Sequence, residues 1–251
     1  MKTARALAIA LGLLLAWQAL VSATGVAPYI LPGPLRVGRA LLAHADLLLA
    51  HTAVTAVEIG LGLLVGCILG CTTALAVASL PPLRRWLLPV LVISQAIPVF
   101  ALAPVLVLWL GYGLLSKVAM ATLIIYFPVT TAFFDGLRRT DPGWLDLART
   151  MGGGRWRVLW HIRIPAALPA LSSGIRVATA VAPIGAVIGE WVGSSAGLGY
   201  LMLQANARVQ VDTMFAALLV LAVLSVGLYF AVDAALRRAL PWQADDANAA
   251  D

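Results

Sequence analysis

The sequence predicts an all-α polytopic membrane protein of about six transmembrane helices, and three observations lead there. Apolar residues make up 62% of the 251-residue chain and charged residues only 11%, where soluble domains carry about 25% charge. Mean hydropathy is +0.96, and charge-free apolar runs recur near the roughly 20 residues that a helix needs to cross a bilayer core. Too little polar sequence remains between the runs for a separate soluble domain. A water-soluble globular protein is therefore excluded, and the spans are read as helices because an open sheet edge cannot face lipid.

Six runs qualify, near residues 6–23, 52–79, 87–110, 117–136, 172–192 and 213–236. The first follows Lys2 and Arg5 and ends in Val21-Ser22-Ala23, imitating a secretory signal peptide. An uncleaved first span is the preferred reading, since Ala6 to Val21 nearly crosses a bilayer and further spans follow. The chain then divides into a first helix with an outer segment (1–50), a transmembrane body (51–240) holding an inner loop (137–170), and a short tail (241–251). With the N-terminus inside, only Arg36, Arg39, Lys117 and Arg208 of the 17 lysines and arginines fall on the outer side. That asymmetry obeys the positive-inside rule and places both termini in the cytoplasm. The cation excess is thus topogenic; nothing offers nucleic acid a recognisable fold or a basic face outside the membrane.

Within the spans, Cys67 and Cys71 lie four apart on one helix face, where no unstrained disulfide forms. Gly62, Gly66 and Gly70 form a small-residue ridge on the same span, expected to receive another helix of the same chain. The third stretch contains Pro89, Pro98 and Pro104, so one straight helix is not expected. Broken helices free carbonyls to line a pathway, with Ser94 and Gln95 beside Pro98 as hydrogen-bonding candidates. Glu58 and Glu190 are ionisable groups at membrane depth, where each costs about 2.5–3.5 kcal/mol at a helix centre. Two readings stand for them: carboxylates that snorkel to the outer interface, or groups of a gate or pathway.

The inner loop is the most informative segment. Asp141-Pro142 reads as an N-cap with proline at the first helical position, and Gly152-Gly153-Gly154 as a stop, bracketing a helix of about ten residues. Trp144, Leu147, Ala148 and Met151 fall at i, i+3, i+4 and i+7, forming one apolar face. Asp146 and Arg149 suit an ion pair and the helix dipole. A helix this short is not stable alone, so its apolar face needs either a partner surface or the membrane headgroups.

The loop resembles the EAA loop of ABC-importer permeases, whose pattern is E-A-A-x3-G-x9-I-x-L-P. Here it stands as Asp146-Leu147-Ala148, three residues, Gly152, nine residues, then Ile162-Arg163-Ile164-Pro165, with every interval kept. Asp146, Leu147 and Ile164 depart from the pattern in residue type. The resemblance covers about residues 50 to 240 and implies six helices, with Trp144, Asp146, Leu147, Ala148, Met151, Gly152, Ile162 and Pro165 meeting a cytosolic ATPase. It also implies a bacterial inner-membrane complex of two permease subunits, expected to be identical, two ATPases and a periplasmic substrate-binding protein. This chain is then a transporter subunit, not an enzyme, and binds no cofactor itself. ATP and magnesium belong to the partner ATPase, because the MGGGRWR run lacks the GK[ST] of a phosphate-cradling loop.

The segments APVLVLWLGYGLLSKV, IIYFPVTTAFFDGLRR and GEWVGSSAGLGYLMLQANARVQVDTMFAALLVL look like the branch importing nitrate, sulfonates, taurine and thiamine-precursor pyrimidines, and the last of them looks most like the aminopyrimidine permeases. Gln95, Pro98 and Glu190 are the candidate pathway or gate residues. The glycine-rich segment from Gly193 to Asp212 is expected on the outer side, meeting the binding protein, the gate or only the interface. Two other classes compete. A stand-alone secondary transporter needs ion-coupling groups at depth and leaves the capped loop helix unexplained. An intramembrane hydrolase has Gly193-Ser194-Ser195-Ala196-Gly197 as a G-x-S-x-G match, with His44, Asp46 and His51 on its side, but a helix end precedes the motif.

Overall fold

The computed structural model describes residues 2–94 and 97–242, and every regular element among them is helical. In chain order these are α1 (Lys2–Thr24), α2 (Pro34–Ala43), α3 (Ala45–Ser79), α4 (Pro81–Ser94), α5 (Val99–Leu110) and α6 (Leu114–Arg138). They continue as α7 (Pro142–Thr150), α8 (Arg155–Val158), α9 (Ile164–Gly193), α10 (Leu198–Ala207) and α11 (Val211–Ala239). Helices α2, α4 and α7 open on proline, whose missing N–H is no loss in a first turn.

Among the described residues, four helical segments are long and apolar enough to cross a membrane: α3, α6, the continuous run Arg155–Gly193, and α11. The first and third expected spans appear as shorter apolar helices, Leu11–Thr24 within α1 and α5. The third stretch is divided as its prolines suggest, with Pro98 exposed as the N-cap residue of α5. Gln95 lies outside the described residues. Helix α3 has 35 residues, about 50 Å at 1.5 Å per residue, so it outruns a bilayer core of about 30 Å. Its extra turns carry His51 and Thr55 to the end of the molecule where α10 lies.

Helices α3, α6 and α9 form the packed centre. The Gly62, Gly66, Gly70 ridge of α3 receives Ala121, Ile125 and Val129 of α6: a Cβ on Gly66 would stand 2.6 Å from Ile125 Cγ2. The ridge is therefore an intramolecular seam, as small residues permit. From the other side, Gly185 of α9 lies against the α6 backbone, where an added Cβ would come 2.7 Å from Ala121 Cα. Buried Ile59, Ala121, Ile125, Val129, Ala178 and Ala182 fill this centre. Cys67 and Cys71 flank it, half-buried and free. Helix α11 packs along the side, tied to α9 by an ion pair of 2.6 Å between Arg176 and Asp233.

Between α8 and α9 the backbone widens into one π turn, Leu159–Arg163. Pro165 accounts for it: proline has no N–H to return to the His161 carbonyl, and its ring crowds that carbonyl. Arg163 holds the widened turn in place by donating from Nε (3.1 Å) and Nη2 (2.9 Å) to the Leu137 carbonyl at the end of α6.

Candidate functional site

Chemistry-bearing residues gather at the two ends of the α3–α6–α9 centre. At one end stands α7. Asp141 caps it by accepting the Gly143 N–H at 2.6 Å, and Asp146 pairs with Arg149 at 2.8 Å, both exposed. The helix stops in a Schellman turn: the Gly153 N–H donates to the Ala148 carbonyl (2.8 Å) and the Gly152 N–H to the Arg149 carbonyl (3.0 Å). Gly152 has φ +74°, a left-handed backbone that disfavours any side chain. No atom of the described residues lies within 4 Å of a Cβ built there. Gly153 is fixed by packing instead, since a Cβ would sit 2.6 Å from the Ala148 carbonyl oxygen.

Only Ala148 of the apolar face is buried; Trp144 is 56% exposed, Leu147 61% and Met151 78%. These values are high for large apolar groups on a short helix and leave its face unpartnered among the described residues. A cavity of about 1030 Å³ opens beside that face, lined by Trp144, Leu147, Ala148 and Met151 together with Ile162 and Pro165 from the start of the long run. Six of the eight residues singled out from spacing thus line one concavity. Asp146 and Gly152 are exposed and do not line it.

At the other end, α10 is seated on α3 and α9 by side chains. A helix leaves its first four N–H groups without intrahelical partners. Here the Gly197 N–H donates to His51 Nδ1 (2.9 Å) and the Leu198 N–H to Thr55 Oγ1 (2.8 Å). Glu190 Oε2 accepts from the N–H groups of Gly199 (2.5 Å) and Tyr200 (3.1 Å), and Glu190 Oε1 from the Thr55 hydroxyl (2.7 Å). Three side chains from two spans therefore cap four consecutive amides. The carboxylate is also on the favourable side of the helix dipole.

Glu58 lies beside this group, with Lys117 Nζ of α6 3.4 Å from its Oε1. Glu58 is fully buried and Glu190 is 1% exposed. The snorkelling reading therefore fails for both. Lys117, assigned from sequence to the outer surface as a topogenic charge, is 6% exposed and serves as the buried counter-ion of Glu58. Gly189 makes room for it, with the Lys117 Cα 3.1 Å from where a Cβ would stand. Gly197, at φ +111°, is required twice, because any Cβ there would also strike the Glu190 carboxyl.

Sequence reasoning missed Thr55 as the partner of Glu190, His51 as the acceptor of the Gly197 amide, and Lys117 as the partner of Glu58. The hydrolase geometry does not form: Ser195, the serine of the G-x-S-x-G match, is exposed, and His51 Nδ1 is taken by the Gly197 amide. No group of three or more metal-ligating side chains occurs among the described residues.

Comparison with known proteins decides the family. The family model described as "Binding-protein-dependent transport system inner membrane component" matches residues 62–241. The chain belongs to this family. It is similar to a "probable ABC transporter permease protein" of Haemophilus influenzae, 57% identical over 90% of this chain and 92% of that one. Similarity extends to the formylaminopyrimidine transport permease ThiX of Halalkalibacterium halodurans (35% identical; 86% and 87% covered). A riboflavin transport permease, RibX of Chloroflexus aurantiacus, is 38% identical (92% and 87%). The fold is that of a permease chain in inward-facing structures of the MetNI methionine ABC transporter, at TM-score 0.68 and 19% identity, covering 78% of this chain and 97% of that one.

This ABC-importer permease is accordingly a multi-pass inner-membrane transport subunit and not an enzyme. It works in a system with an ATPase and a substrate-binding protein. The stand-alone transporter and hydrolase readings fall away.

Proposed function

We propose that two copies of this chain form the pathway of an importer for an aminopyrimidine precursor of thiamine, driven by a pair of cytosolic ATPases seated on α7. The chain crosses the membrane six times with both termini in the cytoplasm, so α7 faces the ATPase and α10 the periplasmic binding protein. What carries this reading is α7 itself: a capped, exposed, apolar-faced helix whose spacing from Ile162 and Pro165 matches the family's coupling loop. Its apolar face is left for a partner to cover.

ATP, held with magnesium by the partner, closes the ATPase pair and draws the two α7 helices together. Differential contact in the closed and open states is the free-energy source for rocking the spans. Glu190 seats α10 on the central helices, so the outer gate moves with α3 and α9 rather than apart from them. Pro98, at the break between α4 and α5, lines the pathway.

Support for the cargo comes from the aminopyrimidine-like segments and from a relative at 35% identity named for formylaminopyrimidine. The relative at 38% is named for riboflavin, another planar nitrogen heterocycle, and flavin is the second reading. Reconstituted with its ATPase and binding protein, the permease is expected to take up labelled formylaminopyrimidine in an ATP-dependent manner, with unlabelled aminopyrimidine competing and taurine or nitrate not. Competition by riboflavin alone moves the assignment to flavins. Competition by taurine or nitrate rejects the heterocycle class.

A further inference from the structure

A second cavity, of about 310 Å³, lies on the opposite flank of α7 from the apolar concavity. Arg138, Arg149, Arg155 and Arg163 line it with Leu145 and Val158, and no carboxylate among the described residues lines it. Four guanidiniums brought to one cavity repel one another. Their donors are largely uncommitted. Arg163 spends Nε and Nη2 on the Leu137 carbonyl, and Arg149 spends only Nη1 on Asp146. Arg138 lies over the Phe134 ring, 5.5 Å from its centroid, and Arg155 is exposed.

The cavity sits where α6 ends, at Leu137 and Arg138, which is the level of the headgroups for a helix that fills the bilayer. Trp156 and Trp160, four apart and 64% and 60% exposed, flank the same segment as interfacial anchors. Planar guanidiniums match phosphate oxygens two at a time, and basic pockets between spans on the cytoplasmic side suit anionic headgroups. We propose that this cavity is a binding site for a phosphate-bearing anion, supplied by the headgroup of an acidic phospholipid of the leaflet on the α7 side. Occupancy neutralises the arginine cluster and braces α7 and the π turn against the end of α6.

The test uses the full-length permease in nanodiscs of phosphatidylcholine mixed with phosphatidylglycerol, with lipid retained per chain read by native mass spectrometry. The wild type retains phosphatidylglycerol in preference to phosphatidylcholine. Arg155→Glu lowers that retention about tenfold or more, and Arg208→Glu, at the other end of the molecule, leaves it unchanged. Adding inorganic phosphate identifies the source: displacement of the lipid means the site takes phosphate from either, and persistence means the headgroup and chains bind together. Either supports a phosphate site. Equal retention by wild type and Arg155→Glu overturns the proposal, as does a wild type with no preference between the lipids. Arg155→Glu releasing the ATPase while keeping the lipid also overturns it, because the cavity then serves an acidic side chain of the partner.

Discussion

Gly152→Arg is expected to reduce uptake to background while the chain still inserts and folds. Two features of Gly152 combine in that result. Its φ of +74° ends α7 in the Schellman turn, and a left-handed backbone costs a non-glycine residue about 1–2 kcal/mol. The space around it is open, so no atom of the described residues objects to a side chain. The larger part of the effect must therefore fall on the surface that docks there. Gly152→Ala separates the two contributions: it carries the backbone cost alone and is expected to retain partial uptake. Membrane insertion is checked by protease accessibility and folding by size-exclusion chromatography in mild detergent. Wild-type uptake by Gly152→Arg removes α7 from the coupling path; failure to insert assigns the glycine to folding instead.

Glu190→Ala is expected to unseat α10. The Gly199 and Tyr200 amides lose their acceptor in a buried place, at about 1–3 kcal/mol each. The Glu58–Lys117 pair is left without the neighbouring carboxylate it is packed beside. Glu190→Gln keeps one carbonyl acceptor and should fall between alanine and wild type. Hydrogen exchange over residues 197–207 reads this directly: amide protection collapses in the alanine variant, is partly kept in the glutamine variant, and uptake falls in the same order. Unchanged protection in Glu190→Ala contradicts the capping role. Lost protection with full uptake means that α10 is not part of the gate.

What was legible in the sequence follows from how far apart the cooperating residues lie. Helix α7 was readable to within a residue because Asp141, Pro142 and Gly152 are local signals that act on their own backbone. The break near Pro98 was readable for the same reason. The glycine ridge on α3 announced a close approach but not its partner, which turned out to be Ala121, Ile125 and Val129 of α6. The charged groups at depth announced themselves by their desolvation cost. Their partners did not, because the Glu190 cap draws His51 and Thr55 from α3, and Lys117 meets Glu58 from a different span. Charge counting placed Lys117 outside because it weighs each cation alone. The number and spacing of acidic residues at similar depth was the one signal available: Glu58 and Glu190 in two spans ask for a cation, and Lys117 opens a third.

The coupling role of α7 is tested most directly by crosslinked pull-down of the tagged permease from native membranes, comparing wild type with Asp146→Lys. Asp146 is exposed and, among the described residues, held only by Arg149, so reversing its charge leaves the packed centre untouched while confronting the partner with two adjacent cations. The expected result is a cytosolic ATPase captured by the wild type and lost from the variant, at equal amounts of inserted permease. Equal capture by both, or no ATPase with intact wild-type protein, contradicts the seating of the ATPase on this helix.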